Sequence, residues 1–224
     1  MDSATVFPIV LSLKIAVVSM VIVAPPGLLL AWIQARHRYR LRTAVDALIL
    51  LPLVLPPSVV GFFLVVVLGR RGPVGSVLDS LLSLRLVFTP AAAVIASSIV
   101  ALPLLVKTAQ PAIEAVPIQL EHVGRALGLS PLQLFARVTA PAAWRGILAG
   151  LVLGFARALG EFGATLMFAG NIPGRTNTMP LEIFAASQAG NDPRALLYVV
   201  VLTVISVVVV VAASRLSPRP EALT

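Results

Sequence analysis

The chain has 224 residues, of which 58% are hydrophobic and only 12% are charged, and its net charge is +8. Soluble domains are about 45–50% apolar and about 25% charged, so this composition excludes a water-soluble fold and favours a lipid bilayer as the solvent. The absence of cysteine excludes disulfides and thiolate metal sites, and two histidines leave little for a histidine metal cage. The charges lie mostly between hydrophobic runs, which indicates membrane topology rather than nucleic-acid binding.

A membrane-spanning helix needs about 20 mainly apolar residues. In chain order, the sequence predicts spans at 6–33, 43–68, 86–106, 142–169 and 195–213. The first run is too long for a cleavable signal and lacks a basic segment before it, so we expect it to remain as a membrane helix. The first two spans carry prolines that we interpret as helix kinks, with gating hinges as the alternative: Pro25, Pro26, Pro52, Pro56 and Pro57. These prolines leave open whether the second span folds as two pieces.

The distribution of positive charge orients the spans. If five spans alternate, one side receives ten cationic residues, namely Arg36, Arg38, Arg40, Arg42, Lys107, Arg125, Arg137, Arg145, Arg215 and Arg219. The opposite side receives five, namely Arg70, Arg71, Arg85, Arg175 and Arg194. Because cytoplasmic loops carry the excess of Lys and Arg, we predict that the N-terminus is outside and the C-terminus is cytoplasmic.

The segment 107–141 is too polar to span a membrane and too long for a tight turn. Pro117 can start a short helix, and Gly128 can end it in the left-handed conformation. Ser130 can cap a second helix, which Pro141 is expected to break before the fourth span. Composition alone leaves two interpretations open, which are an amphipathic helix on the lipid surface and a docking element for a cytoplasmic partner.

A spaced motif in this loop favours the docking element. Its residues are Glu121, His122, Val123, Gly124, Arg125, Leu127, Gly128, Val138 and Pro141. Aligned on Gly128 and Pro141, the motif resembles the EAA loop of ABC importer permeases, in which Glu-Ala-Ala, three residues, Gly and nine residues precede Ile-x-Leu-Pro. The triplet His122-Val123-Gly124 departs from the Glu-Ala-Ala of that family. The resemblance implies a coupling helix that sits in a cleft of a separate ATPase subunit.

The chain contains no phosphate-binding Walker A motif, which requires a lysine directly after a glycine. Its lysines, Lys14 and Lys107, follow a leucine and a valine. ATP must therefore be used by a partner subunit, and we expect this chain to bind no cofactor.

The fourth predicted span carries Arg157 and Glu161, which share one helix face and can pair. Charges within a span are costly and indicate function by default. One interpretation is a structural ion pair, and the other is that Arg157, Glu161 and Thr165 line or gate an anion path, with Glu161 tempering the positive charge so that the anion is released. The same helix has a stripe of small residues that predicts close packing, within the subunit or across a homodimer: Gly146, Gly150 and Gly154.

Several stretches look like parts of molybdate importer permeases, and the similarity covers about residues 10–213. The stretches are 51–61, 69–72, 155–165, 171–174 and 178–180. Sulfate permeases share a related Ala-Arg-Ala-x-Gly-Glu-Tyr-Gly stretch, but Phe162 and the Asn-Ile-Pro-Gly tract favour molybdate.

The resemblance implies an all-α integral membrane protein, with one type I ABC importer transmembrane domain at 6–214 and about five spans. Two copies would form a pore in a bacterial or archaeal cytoplasmic membrane. Two ATPase subunits would dock on the cytoplasmic loops, and an extracytoplasmic binding protein would deliver molybdate or tungstate. Two alternatives remain, which are a sulfate or thiosulfate ABC permease and an ion-coupled secondary transporter that uses Glu161. We expect no catalytic residue, no metal site and no nucleic-acid partner in this chain.

Overall fold

The computed structural model describes residues 3–216, so the predicted cytoplasmic Arg219 lies outside the described residues. All regular secondary structure in that part of the chain is helical, and it comprises eleven helices. They are α1 (Ser3–Arg36), α2 (Arg42–Val54), α3 (Pro57–Leu68), α4 (Pro73–Leu82), α5 (Pro90–Glu114), α6 (Ile118–Ala126), α7 (Pro131–Ala142), α8 (Trp144–Leu159), α9 (Gly163–Ala169), α10 (Met179–Gln188) and α11 (Asp192–Leu216). The expected all-α architecture is confirmed.

Three helices are long and apolar enough to cross a membrane without a break, namely α1, α5 and α11. Helix α1 continues through Pro25 and Pro26, two of the prolines that we interpreted as kinks. Helix α5 runs on to Glu114, past the predicted end at 106. The polarity of Lys107 suggested that end, but its ammonium group lies 2.5 Å from the Asp46 carboxylate on α2, so the helix can continue with this charge paired.

The second predicted span is a broken pair of helices. Helices α2 and α3 meet at 109°, and Leu55 and Pro56 both have extended backbone at the junction. A residue that precedes proline is forced out of the helical region, and here Leu55 precedes Pro56 and Pro56 precedes Pro57. The consecutive prolines therefore produce the bend, and the span folds as two pieces.

The fourth predicted span, 142–169, is wrong as a continuous helix. Helix α8 ends at Leu159, and α9 begins at Gly163. Gly160 follows the end of α8, and glycine is a poor helix former. The carboxylate of the next residue, Glu161, accepts a hydrogen bond from the backbone N–H of Ala164 at 2.8 Å. This contact gives α9 a new start instead of extending α8.

Pro141 does not break the second loop helix as predicted. The break lies at Ala143, where α7 meets α8 at 87°. Residues Phe135–Thr139, which end two positions before Pro141, form a π-helical stretch, in which each turn is wider than in an α-helix. We attribute the continuation of α7 through Pro141 to this local widening.

Two short helices were not predicted, α4 and α10. Each has a proline in its first turn, Pro73 in α4 and Pro180 in α10. Both are shorter than the window of about 20 residues used to find spans, which explains why hydropathy missed them.

Helix α5 lies at the centre of the bundle and packs against α1, α8, α9 and α2. Its interior positions are small or branched and fully buried, among them Ala92, Ala96, Val100, Leu105 and Ala109. Helix α11 is the opposite case, because only 6% of its most apolar stretch is buried inside the chain. Its valines therefore face the surroundings, as expected for a helix in contact with lipid.

Candidate functional site

The polar loop between α5 and α8 folds as two helices, and the predicted signals mark both ends of the first helix and the start of the second. Pro117 directly precedes α6, and Gly128 adopts a left-handed φ of 80° after its end. The Ser130 hydroxyl accepts the N–H of Gln133, whose side chain accepts the N–H of Ser130 in return. This reciprocal capping satisfies two N–H groups that a helix start leaves free, so the position of α7 is set locally.

The predicted coupling residues divide into an outer and an inner set. The outer set comprises residues that are exposed, namely His122, Val123, Arg125, Leu127, Gly128 and Pro141. The inner set comprises Glu121 and Gly124, which are buried, and Val138, which is half-buried. A side chain at position 124 would have its Cβ atom 2.5 Å from Leu134, so Gly124 allows α6 to lie close against α7.

Apolar side chains protrude from this loop. Leu127 is 77% exposed, Leu132 70% and Val123 59%, although the loop is polar and lies beyond the hydrophobic runs. Contiguous exposed apolar residues that are rimmed by charged ones mark interaction sites. The outer set together with Leu132 is exposed and is called here the coupling surface, after the role predicted from the sequence.

The predicted pair of Arg157 and Glu161 is present. An Nη1 atom of Arg157 lies 2.7 Å from Oε2 of Glu161, and the side chains are 26% and 1% exposed respectively. Glu161 lies beyond the end of α8, so the pair joins α8 to the break rather than one continuous helix. The other predicted path residue, Thr165, has a buried hydroxyl with no hydrogen-bond partner. The structure therefore places these three residues around the break between α8 and α9.

The glycine stripe of α8 packs within the subunit. A Cβ atom on Gly146 would lie 2.1 Å from that of Ala112, and one on Gly150 would lie 3.0 Å from the carbonyl oxygen of Leu105, both on α5. A Cβ atom on Gly154 would meet the end of Met20 on α1 at 2.9 Å. The first of the two packing interpretations is thus the one that the fold uses.

At the end of the molecule opposite the coupling surface, three arginines surround an open pocket of about 970 Å³. Asp79 on α4 lies 3.1 Å from Arg70 and 3.2 Å from Arg85, while Arg71 also lines the pocket. The hydrogen bond from Arg85 lowers the pKa of the Asp79 carboxyl below its ordinary value of 3.8, which favours an ionised carboxylate between the two guanidinium groups. In the sequence these arginines orient the spans, and Arg70 and Arg71 belong to the stretch 69–72 that resembles molybdate permeases, but no pocket was predicted from them.

A second polar cluster near the same end was missed. Glu182 on α10 lies 2.7 Å from Arg194 on α11 and accepts a hydrogen bond from Asn177 at 3.0 Å. Glu182 was detectable as the acidic residue of an otherwise apolar stretch. Its partners Asn177 and Arg194 could not be predicted, because they come from a loop and from another helix.

Comparison with known proteins gives the family. Residues 27–221 match the family described as "Binding-protein-dependent transport system inner membrane component". The molybdenum transport system permease protein ModB of Haemophilus influenzae is 40% identical over 88% of this chain and 87% of its own length. ModB of Escherichia coli strain K12 is 39% identical over 80% of this chain and 79% of its own length. ModB of Mycobacterium tuberculosis is 40% identical over 92% of this chain and 78% of its own length.

Solved structures agree on the fold. The MetNI methionine ABC transporter superposes with a TM-score of 0.69 at 16% identity, over 97% of this chain and all of the matched chain. A bacterial alginate ABC transporter superposes with a TM-score of 0.72 at 19% identity, over 98% of this chain and 80% of the matched one. The fold is that of a type I ABC importer transmembrane domain. The chain belongs to the family of inner membrane components of binding-protein-dependent transport systems.

Proposed function

We propose that this chain is the membrane-spanning permease subunit of an ATP-driven importer that carries molybdate, or the similar tungstate, into the cytoplasm. The substrate assignment rests on the similarity of this chain to proteins named as molybdenum permeases, at about 40% identity and over most of both chains. The alternative is sulfate or thiosulfate, because these anions share negative charge with molybdate and sulfate also shares its tetrahedral shape.

The charge distribution supports an anionic substrate. The pocket lined by Arg70, Arg71 and Arg85 is positively charged, since Asp79 offsets only one of its three cations. A cleft lined by one sign of charge raises the local concentration of ions of the opposite sign. Within the bundle, Arg157 is partly exposed, and Glu161 holds its guanidinium group in one position. We assign these two residues, with Thr165, to the translocation path, where the pair binds an oxyanion weakly enough to release it.

The proposed assembly contains two copies of this chain, two separate ABC ATPase subunits and an extracytoplasmic oxyanion-binding protein. ATP is bound and hydrolysed by the ATPase subunits, and this chain contributes the path and the docking loop. Each ATPase docks on the coupling surface around Gly128, where exposed apolar residues and Arg125 support contact with a protein. The N-terminus of the chain then lies outside and its C-terminus in the cytoplasm.

Transport in liposomes tests the substrate. The chain is purified in complex with its ATPase and supplied with its binding protein, and uptake of labelled molybdate is measured with and without ATP. We expect ATP-dependent uptake that unlabelled molybdate suppresses and that excess sulfate leaves largely intact. Equal competition by sulfate would contradict the molybdate assignment and favour the sulfate permease.

A further inference from the structure

One residue of the predicted coupling motif faces the interior of the protein. The Glu121 side chain is 0% exposed, whereas its neighbours His122 and Val123 on α6 are exposed. A buried carboxylate is costly unless it is paired and hydrogen-bonded. Glu121 therefore has an internal role and cannot reach a docked partner.

The carboxylate of Glu121 joins three separate helices. Its Oε1 atom accepts a hydrogen bond from Nε of Arg36 at 2.7 Å and another from the Thr139 hydroxyl at 2.8 Å. Arg36 is the last residue of α1, Glu121 belongs to α6 and Thr139 belongs to α7. Arg36 also donates from Nη2 to the carbonyl oxygen of Val116 at 2.8 Å, and its side chain is only 8% exposed.

Apolar contacts surround this junction. The ring centroids of Trp32 on α1 and Phe135 on α7 lie 5.5 Å apart, and Trp32 is buried while Phe135 is half-buried. Gly124 allows α6 to lie against Leu134 of α7. The last turn of α1 and the two loop helices are therefore packed as a single block.

A buried ion pair is weak evidence for stability, and its best-supported role is to fix one geometry among several. Apolar contacts alone would hold α1 against α6 less specifically, because the hydrophobic effect is not directional. The hydrogen bonds from Arg36 and Thr139 define both distance and direction at the junction. A displacement of α6 must then displace the end of α1 by the same amount.

We propose that Glu121 is a positioning residue that ties the coupling helix α6 to the end of α1, so that ATPase movement reaches the first span directly through Arg36. This inference rests on the proposed function, since it needs an ATPase that moves the loop. The covalent link from α5 to α6 supplies one route for this movement, and the Glu121–Arg36 tie supplies a second route to a helix 85 positions away in sequence.

The test compares Glu121→Gln with Glu114→Gln in the full complex with ATPase and binding protein. Glu114 pairs with Arg42 at 3.3 Å on the same side of the molecule, but it is 42% exposed and lies outside the junction. Each variant is measured for copurified ATPase, ATP hydrolysis and labelled molybdate transported per ATP. We expect Glu121→Gln to assemble and hydrolyse ATP while its transport per ATP falls by about fivefold or more, and Glu114→Gln to match the parent.

A double variant tests whether the Glu121–Arg36 pair transmits movement or only stabilises the fold. Arg36→Met with Glu121→Leu replaces the buried pair by apolar side chains, which commonly restores stability. We expect this variant to assemble as the parent does and to keep the low transport per ATP of Glu121→Gln. Full recovery of transport per ATP would overturn the proposal, as would an unchanged value in Glu121→Gln, or loss of ATPase binding in both variants.

A readout that does not involve the substrate keeps this inference distinct from the substrate assignment. Because the chain has no cysteine, a spin-label pair can be placed at the exposed positions Arg38 and Gln119, with labelled chains diluted by unlabelled ones. In the parent, we expect a narrow distribution of distances between the labels that does not change when ATP is added. In Glu121→Gln, we expect this distribution to broaden. An ATP-dependent change in the parent would overturn the tie, whereas failure of molybdate uptake by the parent would refute only the substrate.

Discussion

Gly128 shows at the scale of one residue how a backbone requirement marks a functional turn. Its φ of 80° lies in the left-handed region, and a Cβ atom placed there would meet nothing within 4 Å. Ordinary residues pay about 1 kcal/mol or more for that conformation. Glycine is therefore needed here for the turn between α6 and α7 rather than for space, and a substituent would project from the coupling surface.

We predict that Gly128→Asp abolishes ATPase docking and leaves the membrane part folded. The strain is about 1 kcal/mol, but the new carboxylate lies on the surface that we assign to the ATPase. The measurement is the amount of ATPase that copurifies with the tagged permease. The control is Gly190→Asp, because Gly190 has a φ of 68° and equally open space at the opposite end of the molecule. A normally assembled Gly128→Asp complex would refute the assignment of this loop.

For Arg157, we predict that Arg157→Ala loses transport by about tenfold or more while assembly is retained. The substitution leaves the 1%-exposed Glu161 with the N–H of Ala164 as its remaining hydrogen-bond donor. Arg157→Ala combined with Glu161→Gln removes that stranded charge. If the double variant transports normally, the pair is structural and Arg157 does not line the path.

At the scale of elements, small residues bring α5, α8 and α1 together. The glycines of α8 face the backbone or β-carbons of α5 at two positions and the flexible end of Met20 at the third. Spacing in the sequence predicted this stripe correctly, because residues four apart share a helix face. The facing helix was not predictable, since many apolar helices offer suitable surfaces.

The stripe gives a graded prediction. We expect Gly146→Ala to lower stability by about 1–3 kcal/mol, because its methyl group would overlap that of Ala112. Gly154→Ala should be close to neutral, because the end of Met20 can move and alanine favours the helix by about 1 kcal/mol over glycine. Thermal unfolding of the purified permease checks the order, and equal losses in the two variants would contradict this account of the packing.

At the scale of the whole molecule, the two ends carry different chemistry. The coupling surface occupies one end, and the arginine pocket with the Glu182–Arg194 pair occupies the other. Helix α11 joins these ends with a mostly lipid-facing surface. In the orientation that we propose, with the N-terminus outside, the pocket faces the binding protein and the loop faces the ATPase.

This orientation predicts which single cysteines an impermeant reagent labels in intact cells. Arg175→Cys, exposed in the loop before α10, should react from outside, and Arg38→Cys, exposed between α1 and α2, should react only after lysis. The absence of natural cysteine makes the background low. The reverse labelling pattern would show that the topology is inverted and that the loop 107–141 does not lie in the cytoplasm.

The sequence by itself determined that this protein lies in a membrane, its helical class, the approximate positions of the apolar segments and most helix boundaries in the loop 107–141. These properties follow from composition and from local signals such as proline, glycine and capping residues, which act within a few residues of themselves. Only the tertiary structure decided that Glu161 starts a new helix, that the glycines face α5 and α1, and that Glu121 points inward. Burial of a charge depends on distant partners, and Arg36 reaches Glu121 across 85 positions of sequence that carry no local sign of the contact.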